Sequence, residues 1–444
     1  MSVPSVVSLP SKKNEFKALT KTLVDTFLDA SDDTVLQNVA MSLSFLAREG
    51  HVRSKDADLQ LQRLASTLCD RVIQMLGEDG NIKDRDDASM QKEGSKAKAR
   101  RSRRSPRSSI SSDATDEPDD EESKSSAEKD REYAISVGLK RLRVLAKRLN
   151  VAKLLASKKG HPVTIETVRN VVVAGVERRL RERQVVVVEK AKRGENNKGA
   201  ENDDGEDEDD DDDDVEYKVP EVWKEMDASV HAAIAESIQE TLDFLLATTA
   251  WSLKEALDQD PVRRGGVKED VEGDDDDDLE EHVVAKQRDQ IAAILQLCFE
   301  QYVSKRQSVD SETYSEEHLA FADSVQLHAG QAFGDLRSLF PKGWSDAASP
   351  LLRTCALTDD QDLVAGFVRY FRSKEDELRS KELDSELVKD LLLPFARSVA
   401  TNWKHSNRRE AGYALAHIVG SGQEASKIVG TMTRIVKKVR RCQN

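Results

Sequence analysis

Turn-forming residues are scarce in this chain, with 21 Gly and 10 Pro in 444 residues. A β-rich fold needs many turns, so the scarcity argues against one. Cysteine is also scarce. Cys69, Cys298, Cys355 and Cys442 lie far apart and form no CxxC. That spacing argues against a zinc site or a disulfide framework and points to a reducing compartment. The eight His show no ligand spacing. Long apolar runs are missing, and the best stretch, Val171 to Val176, is far short of a membrane span. The opening MSVPSVVSLP has no charged region ahead of its short apolar run, so it does not read as a signal peptide. A soluble, intracellular protein is expected. Catalytic signatures are missing too: there is no GxGxxG, P-loop, GxSxG or HExxH. No enzyme activity, cofactor, metal or small-molecule substrate is expected.

What the chain does have is a rhythm of apolar stripes at helical spacing, broken by charged tracts. Phe16, Leu19, Leu23 and Phe27 mark one helix, and Ser31-Asp32-Asp33 breaks it. Val35, Val39, Leu43 and Leu46 mark the return helix, and Leu61, Leu64, Leu68, Val72 and Leu76 a third. A helix is expected over 133–155, with Leu139, Leu142, Leu145, Ala146 and Leu149 as its stripe. Another starts near Thr164 and runs through Val168, Val172 and Val176 to a basic end at Arg178, Arg179, Arg181 and Arg183. The Val185–Val188 run suits a strand on periodicity alone. No partner strand is visible, so helix continuation is expected. Trp223, Val230, Ile234, Ile238, Leu242 and Leu245 form the next stripe, followed by Trp251, Leu253 and Leu257. Further helices are expected over 282–305, 315–339, 345–356, 359–375, 385–403, 407–420 and 422–441, with a turn at Gly420-Ser421-Gly422.

Helix pairs recurring at about 40 residues indicate an all-α, HEAT-like helical-repeat solenoid with long disordered charged insertions. Helical segments are assigned to 1–78, 132–193, 219–257 and 281–441. A disordered basic and acidic insertion is assigned to 79–131, and acidic loops to 194–218 and 258–280. Packing is the expected role for all four Trp.

The net charge of −15 is local in origin. Residues 201–216 carry 13 acidic side chains and 274–281 carry 7, with no Lys or Arg in either. Without those two runs the rest is mildly basic. They lack the alternating ligands of a calcium loop and read as acidic linkers. The segment KAKARRSRRSPR places Lys96, Lys98, Arg100, Arg101, Arg103, Arg104 and Arg107 within twelve residues. It reads as a nuclear localisation signal, the bland alternative being a solvated charge run. Ser105-Pro106 within it is a proline-directed phosphosite pattern. On the helix over 133–155, Lys140, Arg141, Arg143, Lys147 and Arg148 fall opposite the apolar stripe, and no acidic residue occurs between Glu132 and Glu166. This reads as a positive face for sequence-independent contact with the DNA backbone, against the plainer reading of a solubilising surface.

Several blocks, in consecutive order, resemble the STAG (stromal antigen) subunit of cohesin. They are KNEFKALTKTLVDTFLDASDDTVLQNVAMSLSFLAREGH, VGLKRLRVLAKRLNVAKLL, TIETVRNVVVAGVERRL with IAESIQETLDFLLATTAWSLKEAL, and HSNRREAGYALAHIVGSG with IVGTMTRIVKKVRR. The similarity spans about residues 12–441 outside the insertions and covers the family's middle and later repeats. The resemblance implies a HEAT-repeat hook that binds the kleisin subunit along its length, meets other cohesin subunits, helps contact DNA and recruits regulators in the nucleus, on chromatin. The family's amino-terminal patch for aromatic-containing partner motifs has no counterpart here, so its residues are not carried over. A karyopherin-like transport adaptor and a condensin-type HEAT subunit remain as alternatives.

Overall fold

The computed structural model describes residues 13–48, 55–89, 120–156, 163–184, 186–189, 215–218, 220, 223, 227–260, 282–301, 315–358, 360–374, 389–390, 392–394, 396–397 and 422–441. Among them the fold is mainly α-helical. The helices are α1 (Lys13–Asp29), α2 (Asp33–Arg48), α3 (Lys55–Ser89), α4 (Asp120–Arg148), α5 (Val151–Ala156) and α6 (Ile165–Arg183). They continue with α7 (Ala228–Gln259), α8 (Val283–Phe299), α9 (Glu316–Leu339), α10 (Pro350–Cys355), α11 (Gln361–Ser373) and α12 (Gly422–Arg441). A 3-10 turn, Lys342–Asp346, precedes α10.

Helices α1–α4, α6–α9 and α11 pack in two layers, and the chain alternates between them. One layer runs α1, α3, α6, α8, α11, and the other runs α2, α4, α7, α9. Each helix also packs on its chain neighbour in the opposite layer, as in the pairs α1–α2, α3–α4, α6–α7 and α8–α9. One buried apolar cluster extends through this stack from Val24 to Met432. The expected stripes supply it, with Leu64, Leu142, Val172, Ile238 and Ile294 all at 2% exposure or less. On α2 the inward row is Leu36, Val39, Ala40 and Leu43, while Val35 is exposed.

Short polar side chains start several of the helices, accepting backbone N–H groups that the first turn leaves unsatisfied. Thr164 accepts from Thr167 N at 3.2 Å, Asp227 from Ser229 N at 3.1 Å and Ser315 from His318 N at 3.3 Å. Gly334 of α9 is required by close approach: a Cβ there would lie 2.6 Å from the Pro394 carbonyl oxygen.

The structure corrects several boundaries. Val186–Glu189 is a strand (β1), not a helix continuation, and pairs antiparallel with Val215–Lys218 (β2), Val187 opposite Tyr217. β-Branched residues favour extended backbone. Their partner was hidden at the far end of the acidic tract, so that tract joins the two strands of a ladder. Helix α3 continues to Ser89 and α4 begins at Asp120, inside the span assigned to the first insertion. The helix expected over 133–155 breaks at Asn150, whose Oδ1 accepts from Lys153 N at 3.1 Å and starts α5. Trp223 lies outside α7, and α7 runs unbroken through the second stripe to Gln259. The helix expected over 345–356 is a 3-10 turn followed by the short α10. Of the helix expected over 385–403, the parts at 389–390, 392–394 and 396–397 are helical. The helix expected over 407–420, Trp403, and most of the acidic runs lie outside the described residues.

Candidate partner groove and the α4 cations

The α4 cations do not form an open positive face. Arg143 Nη2 lies 2.7 Å from Asp33 Oδ1, its Nε lies 2.5 Å from Glu240 Oε2, and Nη1 lies 3.5 Å from Asp243 Oδ2. Lys147 Nζ is 2.5 Å from the same Asp243 oxygen, and Lys140 Nζ is 3.8 Å from Glu236 Oε1. Arg141 donates through Nε and Nη2 to Ala30 O at 3.0 and 2.9 Å, at the C-terminal end of α1 where helix carbonyls lack partners. Arg148 is exposed. Four of the five are thus engaged within the fold, although Lys147, like Arg148, keeps an exposed side chain. The reason is topological. A helix inside a layered stack is covered on more than one side, so its polar side meets a neighbour too. The matching acids sit on α7, about a hundred residues away, where no local window can register them.

This junction holds a carboxylate whose ionisation burial opposes. Burial pushes Glu240 up to about 7, opposed by Arg143 and reinforced by Asp243. Glu240 and Arg143 side chains are 5% and 13% exposed.

Other arginines tie successive helices together in the same way. Arg179 of α6 meets Glu132 of α4 through Nη2, at 2.9 and 3.2 Å from the two carboxylate oxygens. Arg169 of α6 donates to Leu245 O of α7 at 3.0 Å, to Thr248 Oγ1, and to Gln287 O of α8 at 3.4 Å. Burial pulls its pKa down to about 10. Arg337 of α9 lies 3.1 Å from Asp360, ahead of α11. The guanidinium suits such sites because its planar fork serves several acceptors at once. Half of the expected basic end of α6 is thus internal: Arg179 and Arg183 are buried, Arg178 is half-buried and Arg181 is exposed.

At the end of α6 an aromatic stack closes the core. Trp223 lies between His231 of α7, at 4.2 Å between ring centroids, and His318 of α9, at 4.0 Å. Its indole N–H donates to Arg183 O at 3.2 Å, and Arg183 Nε donates to His231 Nδ1 at 3.4 Å. Burial pulls both histidines down to about 4, and Arg183 adds to the effect at His231. Both imidazoles are therefore neutral at physiological pH.

An open groove of about 500 Å³ runs between α4, α7 and α9. Ala146, Ala247, Ala250 and Leu339 give it an apolar lining, and Lys147, Lys254, Asp243 and Asp335 give it charges of both signs. Trp251 lines it as well, its indole fixed by donation to Ala146 O at 2.8 Å. Sequence reasoning missed this groove because its walls come from three helices. The only local hint was the small-residue row Ala247–Ala250 beside Trp251.

Among the described residues no group of His, Cys, Asp or Glu could hold a metal ion. No helix there is long and apolar enough to cross a membrane. Cys69, Cys298 and Cys355 are free thiols and buried. Burial pushes the Cys69 thiol up to about 12, which disfavours the reactive thiolate. The cluster of Lys96, Lys98, Arg100, Arg101, Arg103, Arg104 and Arg107 lies outside the described residues. No protein-family model matches the chain. No curated protein matches it either.

Proposed function

We propose that this chain is a non-catalytic HEAT-like scaffold, a STAG-like subunit of cohesin that holds the kleisin and contributes to chromatin contact in sister chromatid cohesion. The observation that carries the scaffold reading is the alternation of the chain between two layers, one helix pair stacking on the next. Such an array offers its inter-helix grooves as binding surface. The groove between α4, α7 and α9 has the apolar floor and mixed-charge rim suited to a helical or extended kleisin segment. The cohesin assignment within that class rests on the sequence blocks quoted above.

Backbone contact with DNA is narrowed in this proposal to Lys147, Arg148 and Lys153, the exposed cations at the α4–α5 bend. Reversing these three to Glu lowers the log–log salt slope of DNA binding by about 3 if each meets a phosphate. An unchanged slope removes the bend from the DNA surface. Nuclear entry is assigned to residues 96–107, whose deletion shifts the protein to the cytoplasm.

The experiment is affinity purification of the chain from nuclear extract, with and without Ala250→Arg. Ala250 is half-buried and lines the groove, so an arginine there fills it. Recovery of a kleisin with two long coiled-coil ATPase subunits, lost with Ala250→Arg, supports the reading. Recovery of Ran and basic cargo instead supports the karyopherin-like alternative. A kleisin of the condensin type places the chain in that complex.

A further inference from the structure

Helix α2 stands first in its layer, and its layer neighbour is α4. Asp33 marks the side of α2 that faces α4, since its Oδ1 lies 2.7 Å from Arg143 Nη2. Ser42 follows Asp33 by about two and a half helical turns and so lies on the opposite side. Around Ser42 on the surface of the helix are Val35, Asn38, Met41 and Phe45. Val35 is 39%, Met41 49% and Phe45 50% exposed. Three of the eight large apolar side chains that are exposed among the described residues thus share one 16-residue helix. From Thr34 to Ala47 that helix carries no charged residue, in a chain that is 34% charged. The Asn38 side chain makes no hydrogen bond among the described residues. Ser42 Oγ donates to Asn38 O at 2.9 Å, so its lone pairs remain to accept.

We propose that this face pairs with the same face of a second copy of the chain, α2 antiparallel to α2, in a weak two-fold dimer. A two-fold contact is isologous, so every residue before the axis meets one the same distance beyond it. With the axis level with Ala40, Val35 of each copy meets Phe45 of the other. In the same register Asn38 meets Ser42, amide donating to hydroxyl. Apolar and polar pairs coincide, which is the self-complementarity that such a contact requires. The lack of charge selects the occupant. Nucleic acid and anionic lipid are held by cations, which this face lacks. A face of one charge repels its own copy, whereas an uncharged one does not. The cores of interfaces are likewise depleted in charge. One helix from each copy, about 24 Å long, makes a small contact, so a dissociation constant of about 10 μM is expected. Each copy carries a net charge of −15, so the copies repel at long range and salt strengthens the dimer. The inference does not rest on the cohesin reading.

The test is sedimentation velocity of the full chain from about 1 to 200 μM, at about 50 and 500 mM NaCl. The expected result is a monomer–dimer equilibrium that tightens at least twofold at the higher salt. Phe45→Glu and Met41→Glu, both at exposed positions outside the buried cluster, each weaken it at least tenfold and leave the thermal melt unchanged. If Phe45→Glu fails to fold, Met41→Glu decides. The register has its own readout, in a Cys442→Ser background under mild oxidation. A mixture of Asn38→Cys chains with Ser42→Cys chains forms a disulfide-linked dimer faster than either variant alone. A chain that stays monomeric at about 200 μM overturns the proposal. Dimers that keep their affinity with Met41→Glu lie on another face and overturn it too. Dimers that weaken with salt are held by charge, which α2 does not supply, and refute it. Equal cross-linking in the mixture and in each variant alone removes the two-fold register and the proposal with it.

Discussion

Arg179 and Glu132 are 4% and 8% exposed and bridge α6 to α4, so their energetics test how the layers are held. Replacing Arg179 with Met removes the guanidinium and leaves the Glu132 carboxylate buried with its main partner gone. Breaking a buried pair in this way costs about 3–5 kcal/mol. Glu132→Leu leaves Arg179 stranded in turn, although its Nη1 still donates to Gly175 O at 3.3 Å. That single change is expected at the lower end of the same range. Replacing both removes two desolvation penalties together, and the double variant should lie near wild type or up to a few kcal/mol above it. With a urea slope of about 3 kcal/mol/M, the Arg179→Met midpoint falls by about 1–1.7 M. The assay is urea unfolding followed by far-UV circular dichroism, with amide exchange of α4 and α6 as a local readout, because stacked arrays unfold in parts. Single variants that each cost under about 1 kcal/mol would refute the reasoning, since that is the scale of a solvated surface pair. Strict additivity in the double variant would refute it as well.

Stability should depend on pH through opposing groups. His231 and His318 fall to about 4 in the fold, so the unfolded chain binds more protons between about pH 4 and 6.5. Their contribution is fully present above pH 6.5 and is lost as pH falls toward 4. Glu240 rises to about 7, so the folded chain binds the extra proton there; its contribution is present below about pH 4.5 and is lost as pH rises through 7. Glu240→Gln is expected to raise stability at pH 8 relative to wild type, and urea midpoints across pH 5–8 check both slopes. Gly334→Val should destabilise by about 1–3 kcal/mol, since a Cβ there would lie 2.6 Å from the Pro394 carbonyl oxygen, a backbone atom that cannot swing aside as the end of a side chain can; thermal melts would show it. Arg143→Glu places a fourth carboxylate among Asp33, Glu240 and Asp243, and is expected to open the α4–α7 junction. Faster amide exchange in both helices is the readout, and unchanged protection would refute the clamp.

Much of the helical layout could be read from the residues themselves. Apolar rows at i, i+3 and i+4 located α1, α2, α3, α6, α7, α8, α9 and α11, because burying one stripe is the main reason an isolated sequence becomes a stable helix. Caps such as Thr164 and Ser315 are equally local. The β1–β2 ladder was not legible for a different reason. Val186–Glu189 is ambiguous by itself, and a strand is decided by its partner, here beyond the acidic tract.

Charge is where sequence and tertiary structure part. The sequence by itself determined which residues are cationic, and that Lys140, Arg141, Arg143 and Lys147 stand away from the Leu139–Leu149 stripe. Whether those cations face water or another helix depends on what the fold brings beside them. Packing against α7 set Glu236, Glu240 and Asp243 opposite α4, and turned an apparent binding face into a clamp. The same holds for Arg169, Arg179 and Arg183, each of which has acceptors on other helices or in the Trp223 stack. Helix formation is governed by spacing within a few turns, so sequence suffices for it. Ion pairing and grooves join segments a hundred residues apart, so only the tertiary structure decides them.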